Sequence, residues 1–259
     1  MKSHVPGLIV LSAALAALVL VAPPSRAGEE EEGEVIEFDE ANVFFELNDT
    51  DGDLGIHALI DGEPWKTLEI ETPNGQTNLL IHVRGRLRAQ GLTELFFESA
   101  EPTFDELPPN RFFRRFPEGE YEISGVTLEG DELESTATVT HLIPAPVGDL
   151  AVNGTLLPDS CDEELPLIGE PFTISWDAVD ESHPDLGRTG EPIEVVRYEV
   201  VVEREEGEPL SFAIVLPPDV TEVDLPGGLT SEGEEIKVEV LVREESGNQT
   251  AVESCFEVD

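Results

Sequence analysis

The sequence predicts an all-β protein: two tandem antiparallel β-sandwich domains behind a cleaved signal peptide. Three observations carry this. Short β-prone runs alternate with turn residues from Asn42 to Val258, as in sandwiches and unlike the strand–helix alternation of α/β folds. A proline-rich joint, Pro144-Ala145-Pro146, interrupts the run near its middle. At the start, Lys2 precedes an apolar core over residues 8–22, and Ser25-Arg26-Ala27 offers a small-x-small cleavage site.

Taken in order, residues 1–27 are the signal peptide. Residues 28–40 hold a glutamate run with little to bury and read as an acidic, disordered leader. Residues 41–143 form the first domain, with strands expected over 43–47, 56–60, 65–70 and 77–83. Asp61-Gly62 and Pro73-Asn74-Gly75 act as hairpin turns between them. Another strand is expected over 92–98. A short helix follows within 104–116, which starts near Asp105 and stops before Pro117. Residues 121–128 and 133–141 make a closing hairpin around Gly130-Asp131. Residues 144–149 are an extended, semi-rigid linker, and 150–259 are the second domain.

The chain carries 57 acidic residues against 14 Lys and Arg, a formal net charge of −43. Such a charge repels nucleic acid and anionic membranes and favours solubility and cation binding. The leading apolar run is short of the roughly 20 residues a membrane span needs, and no other long one follows. The expected product is soluble, not inserted in a membrane, and either secreted or periplasmic. Cys161 and Cys255 are the only cysteines, and an even count in an oxidising compartment argues for one disulfide.

In the second half, Phe172-Thr-Ile-Ser-Trp176 is followed by Tyr198-x-Val200-x-Val202. Thr221-x-Val223-x-Leu225 comes next, then Gly228-Leu229 and alternating runs over 236–242 and 250–258. This stretch, about 145–259, resembles a fibronectin type III domain, with the first motif as strand B and its core tryptophan. The resemblance implies a two-sheet sandwich and contact with a protein or cell-surface partner. Ile236 stands where many members carry a corner tyrosine. The insert over 180–192 becomes a long B–C loop, and the two cysteines fall where the ends of such a sandwich run close. The first half is immunoglobulin-like or another eight-stranded sandwich.

Four groups of residues are candidates for chemistry. Leu47-Asn-Asp-Thr-Asp-Gly-Asp-Leu-Gly-Ile56 puts Asp49, Asp51 and Asp53 at alternate positions. That pattern fits the first ligands of a calcium loop, with Asn48 and Asp61 the nearest further donors. The loop lacks the bidentate glutamate of an EF-hand and has strand-like flanks, and the same residues also suit an ordinary polar turn. Arg84-x-Arg86-x-Arg88 would share one face of a continuing strand as an anion or carboxylate site. Arg111, Arg114 and Arg115 interleave with phenylalanines; the competing reading of both groups is that they neutralise neighbouring carboxylates. Trp65 offers a sugar-stacking face if exposed and a core residue if not. His57, His82 and His141 lie on expected strands without a paired metal motif. No nucleophile elbow or phosphate loop is present. The expectation is an exported, acidic, non-enzymatic binding or structural protein with a calcium-stabilised loop. The alternative is a metal-dependent hydrolase or carbohydrate-binding accessory protein.

Overall fold

The computed structural model describes residues 35–204, 209–228 and 230–259. The expected signal peptide, residues 28–34 of the leader and Leu229 lie outside the described residues. Among those described, no helix is long and apolar enough to cross a membrane.

The end of the expected leader is part of the fold. β1 (Val35–Ile36) pairs in parallel with β7 (Glu132–Val139), and Phe38 is buried in the first core. β2 (Glu40–Asn48) and β3 (Asp53–Glu71) then form an antiparallel pair. β3 corrects the expected hairpin at Asp61-Gly62, because residues 56–60 and 65–70 belong to one 19-residue strand. The chain stays extended there because strands pair with it up to Asp61 and again from Trp65. β2 and β5 (Leu92–Glu98) border its first part, β4 (Thr77–His82) and β6 (Gly119–Thr127) its second. Register shifts around Trp65 re-aim the side chains, as bulges do. Ile56, Ala58 and Ile60, then Trp65, Leu68 and Ile70, all enter one core.

The sheet order β1-β7-β6-β3-β2 curls until β2 lies against β7. The short helix α1 (Pro109–Arg115) plugs the curl with Phe112, whose ring sits 5.3 Å from that of Phe45. The helix covers less of 104–116 than expected because proline is tolerated only in a first turn. Arg111, Arg114 and Arg115 face solvent.

The second half is a two-sheet sandwich. β8 (Ala151–Val152), β9 (Thr155–Leu156), β11 (Thr173–Ser175) and β14 (Glu222–Asp224) form the smaller sheet. Opposite lie β12 (Val195–Arg204), β13 (Ser211–Leu216), β15 (Glu235–Glu244) and β16 (Gln249–Val258), with β10 (Leu167–Ile168) beside β16. Strict alternation sends Tyr198, Val200, Ile236, Val238, Val240 and Phe256 inward against Ile174 and Trp176. Cys161 and Cys255 are joined by a disulfide.

The two cores share one sheet. β16 pairs in parallel with β2, Gln249 opposite Glu46 and Ala251 opposite Asn48, and the Asp49 N–H continues the ladder to the Ala251 carbonyl. Asn248, 1 % exposed, locks this seam. Its Oδ1 accepts from the Phe45 N–H at 2.8 Å, and its Nδ2 donates to the carbonyls of Thr140 and Leu142 at 3.0 Å. The expected B–C insert is a strap. His183 and Arg188 donate backbone N–H groups to the Ile143 and His141 carbonyls, and Leu186 is buried in the first core. Gly187 sits at φ +63°, where an added Cβ would lie 2.1 Å from the His141 oxygen; only glycine fits this close approach. Sheet pairing and the strap, rather than the prolines alone, hold the halves together.

Candidate metal centre and the seam groove

The turn between β2 and β3 is built by Asn48, whose Oδ1 accepts from the N–H groups of Thr50 and Asp51. Gly52, at φ +66°, completes it. This is Asx-turn chemistry, and it scatters the expected calcium ligands. Asp49 turns away to meet His183 Nε2 at 3.0 Å. Asp51 is exposed and receives the Asn48 amide at 3.3 Å. Asp53 opens β3, and Asp61 lies eight residues further along the same extended strand, about 26 Å away at the usual rise. Asp61 instead accepts from the Gly62 N–H. Asp61 therefore cannot share an ion with Asp49, Asp51 and Asp53, and among the described residues these carboxylates do not form a tight donor cluster.

A different set converges. Among the described residues, Glu46, His57 and Glu101 present donor atoms within 4.8 Å of one another. Alternation explains two of them: Glu46 sits opposite Gly55 in the β2–β3 pairing, and His57 is two residues further along the same face. Glu101 arrives from the segment after β5 and lays its carboxylate over Gly55. A Cβ there would lie 2.3 Å from Glu101 Oε1, so the glycine makes the room. His57 is nearly enclosed, its side chain 3 % exposed. Its Nε2 meets Glu101 Oε1 at 3.0 Å, while Nδ1 faces Glu46 Oε2 at 3.6 Å.

A neutral imidazole has one N–H. If Nε2–H donates to Glu101, the Nδ1 lone pair faces a carboxylate oxygen. Two acceptors in that arrangement require a proton or a cation between them. Their separation is near the roughly 3.3 Å edge of a tetrahedral site with ~2.0 Å bonds. An imidazole oriented by a carboxylate on its other nitrogen is also how metal-binding histidines are commonly held. His82 is exposed on β4. His141 is tied to the Phe116 carbonyl and stacked 4.4 Å from Phe113. Among the described residues, neither joins His57 in a donor cluster.

The surroundings are rich in crowded carboxylates. Desolvation lifts the Asp53 carboxyl to about 6, with Glu101, Asp51, Glu253 and Glu46 adding repulsion. Asp53 Oδ1 is buried with no hydrogen-bond partner. Burial also raises Glu46, against the attraction of His57. Glu239, directly across from Glu253 on the β15–β16 pair, is pushed up to about 7 by desolvation and then by Glu253. A carboxyl raised in the folded state binds its proton more tightly folded than unfolded. Its contribution is full below the unfolded value and is lost as pH rises through the folded one. The windows run from 3.8 to about 6 for Asp53 and from 4.5 to about 7 for Glu239. Urea midpoints measured in chelator should therefore be higher at pH 5 than at pH 8. Equal midpoints, or a lower one at pH 5, would contradict these environments.

Beside the cluster lies a groove of about 580 Å³ whose walls come from both halves, among them Phe44, Glu46 and His57 on one side and Arg197, Glu199 and Arg243 on the other. Arg243 lies 4.3 Å above the Phe44 ring and stands directly opposite Arg197 across the β12–β15 pair. Burial and Arg197 lower its pKa. Like charges directly opposite on neighbouring strands destabilise a sheet, while stacking on an aromatic face offsets part of that cost.

The remaining sequence candidates fall elsewhere. Trp65 is 0 % exposed, so no sugar can stack on it; register shifts on β3 turn it into the core. Arg84, Arg86 and Arg88 do not share a strand face. β4 ends at His82, and Gly85 at φ +68° starts a 3-10 turn over Gly85–Ala89. Glu46 and Glu101 were hidden among 57 acids; the alternation of His57 with Gly55 was the only local signal.

No family model matches the chain, and no curated protein does. Solved structures that it resembles are fibronectin type III domain structures. A two-domain fibronectin type III segment of chicken tenascin is 10 % identical with a TM-score of 0.30, covering 87 % of this chain and 98 % of that one. The FN1–FN3 domains of chicken CNTN1 are 9 % identical with a TM-score of 0.34, covering 87 % of this chain and 65 % of the other.

Proposed function

We propose that the chain is an exported, non-enzymatic binding or structural protein, a rigid pair of β-sandwiches that meets a protein or cell-surface partner through its fused sheet. The observation that carries this reading is the seam. One continuous sheet spans both cores, and a groove of about 580 Å³ is walled by residues from each, so the surface is organised before any partner arrives. Export is supported by the leading apolar segment and by the disulfide.

In the same reading a divalent cation sits between His57 Nδ1 and Glu46, while Glu101 orients the imidazole from Nε2 and so ties the segment after β5 to the groove. An imidazole among the donors suits zinc or manganese better than calcium, which takes six to eight oxygens. The test is a thermal melt of the full chain, stripped with chelator and refilled with zinc, manganese or calcium. At a hundredfold excess over the dissociation constant, binding adds about 2.7 kcal/mol, a rise in Tm of about 5–10 °C for a chain this size. His57→Gln should abolish the rise, Glu101→Gln should weaken metal affinity by about 10–100-fold, and Asp51→Ala should leave the rise intact. A rise lost in Asp51→Ala but kept in His57→Gln would return the site to the Asp49–Asp53 loop. Identical melts with every ion would remove the metal from the proposal.

A further inference from the structure

The arginines after β4 end in a second concave site. Lys66, Thr67, His82, Val83, Arg84 and Arg88 line a cleft of about 350 Å³. No carboxylate lines it, although acids outnumber Lys and Arg 57 to 14 over the whole sequence. Lys66, Arg84 and Arg88 make no ion pair within 4.0 Å among the described residues, whereas Arg188 and Lys237 each have a glutamate partner. In so acidic a chain the low-energy arrangement is to pair each cation with a neighbouring carboxylate. Three cations gathered without one repel each other, and a bound anion would relieve that repulsion.

The scaffold that gathers them is fixed from both sides. The Val83 N–H donates to the Lys66 carbonyl at 2.9 Å, and Thr67 stands opposite His82, which sets β4 against β3. Gly85 turns the chain just after Arg84, and the N–H groups of Gln90 and Gly91 close the turn on the Leu87 carbonyl. Gly91 packs so tightly on Pro64 and Trp65 that an added Cβ would lie 3.1 Å from the Pro64 Cβ and 3.2 Å from the backbone of both. The turn is thus anchored to a buried part of β3, and it returns Arg88 beside Arg84. Two guanidinium forks and an ammonium supply more donors than a planar carboxylate can use, and they match a tetrahedral group with oxygens on several sides.

We propose that this cleft binds a small tetrahedral oxyanion, the phosphate or sulfate group of a low-molecular-weight ester. The site is separate from the seam groove and does not depend on it.

Isothermal titration of the full chain with inorganic phosphate, inorganic sulfate and acetate tests this. Saturable one-to-one binding of phosphate or sulfate, at least tenfold tighter than acetate, is expected. Preference between the first two identifies which ester the cleft takes. Arg84→Gln/Arg88→Gln should weaken binding at least tenfold with an unchanged melt, since both side chains are exposed. Arg111→Gln/Arg115→Gln, which removes exposed charges on α1 instead, should leave it intact. Absence of saturation, acetate binding as tightly, or equal losses in the two double variants would overturn the proposal.

Discussion

Replacing Cys161 and Cys255 with alanine is expected to lower the stability of the chain by roughly 4–5 kcal/mol, because their bridge closes a sequence separation of 94 residues. The effect should be large for a second, local reason. β16 carries Cys255 and is the strand to which residues 157–168 are tied. Ser254 Oγ donates to the Pro158 carbonyl at 2.6 Å, the Glu257 N–H donates to the Pro166 carbonyl at 3.0 Å, and β10 adds its parallel pairing. Without the bridge, residues 157–168 are held to β16 by those hydrogen bonds and by core packing. Denaturant titrations of the oxidised and reduced wild type, beside the double alanine variant, read the difference directly. The reduced wild type should follow the variant. Coincident curves for oxidised and reduced protein would show that the bridge contributes nothing.

Asn248→Ala should cost about 3 kcal/mol, or about 6–12 °C in Tm. No core volume of consequence is lost. The cost comes from the Phe45 N–H and the Thr140 and Leu142 carbonyls, which this one amide satisfies at a seam closed to water. Asn248→Asp sharpens the test. It keeps an acceptor for the Phe45 N–H but sets a carboxylate against two carbonyl oxygens, so it should be at least as damaging as alanine. A loss below about 0.5 kcal/mol in both variants, the range of ordinary surface changes, would mean that the amide does not lock the seam. Glu244 gives an internal check nearby. Burial raises its carboxyl, and hydrogen bonds from Ser246 and the Asn248 N–H oppose the rise. Its contribution belongs to the turn itself and should survive in both Asn248 variants.

Local pattern made much of this fold legible. Residues 92–98 read as a strand and are β5, the alternation at Tyr198-x-Val200-x-Val202 lies within β12, and the alternation over 236–242 and 250–258 placed β15 and β16 within a residue or two. The failures have physical causes. Asp61-Gly62 has the composition of a turn, yet Asp61 is paired with Glu40 on one edge and Glu94 on the other, and pairing resumes at Trp65, which is tertiary context overriding propensity. Arg84, Arg86 and Arg88 alternate in sequence, but Gly85 breaks the strand between them. The Asp-x-Asp-x-Asp loop looked like a cation site because spacing alone does not show direction. Asp49 leaves toward a histidine 134 residues away, and Asp53 enters a strand face. The seam was invisible for the same reason that it is decisive: Glu46 and Gln249 meet 203 positions apart, and nothing local marks either. His57 was a visible candidate, whereas its two glutamate partners could be found only in three dimensions.

Differential scanning calorimetry of the oxidised full chain tests the fused body most directly. If β2–β16 pairing, the Asn248 amide and the strap at Leu186 make one cooperative unit, the chain unfolds in a single transition whose calorimetric and van't Hoff enthalpies agree. Asn248→Ala should lower that transition or split it. Two transitions in the wild type, unchanged by Asn248→Ala, would mean two independent sandwiches, and the preformed groove between them would not exist in solution.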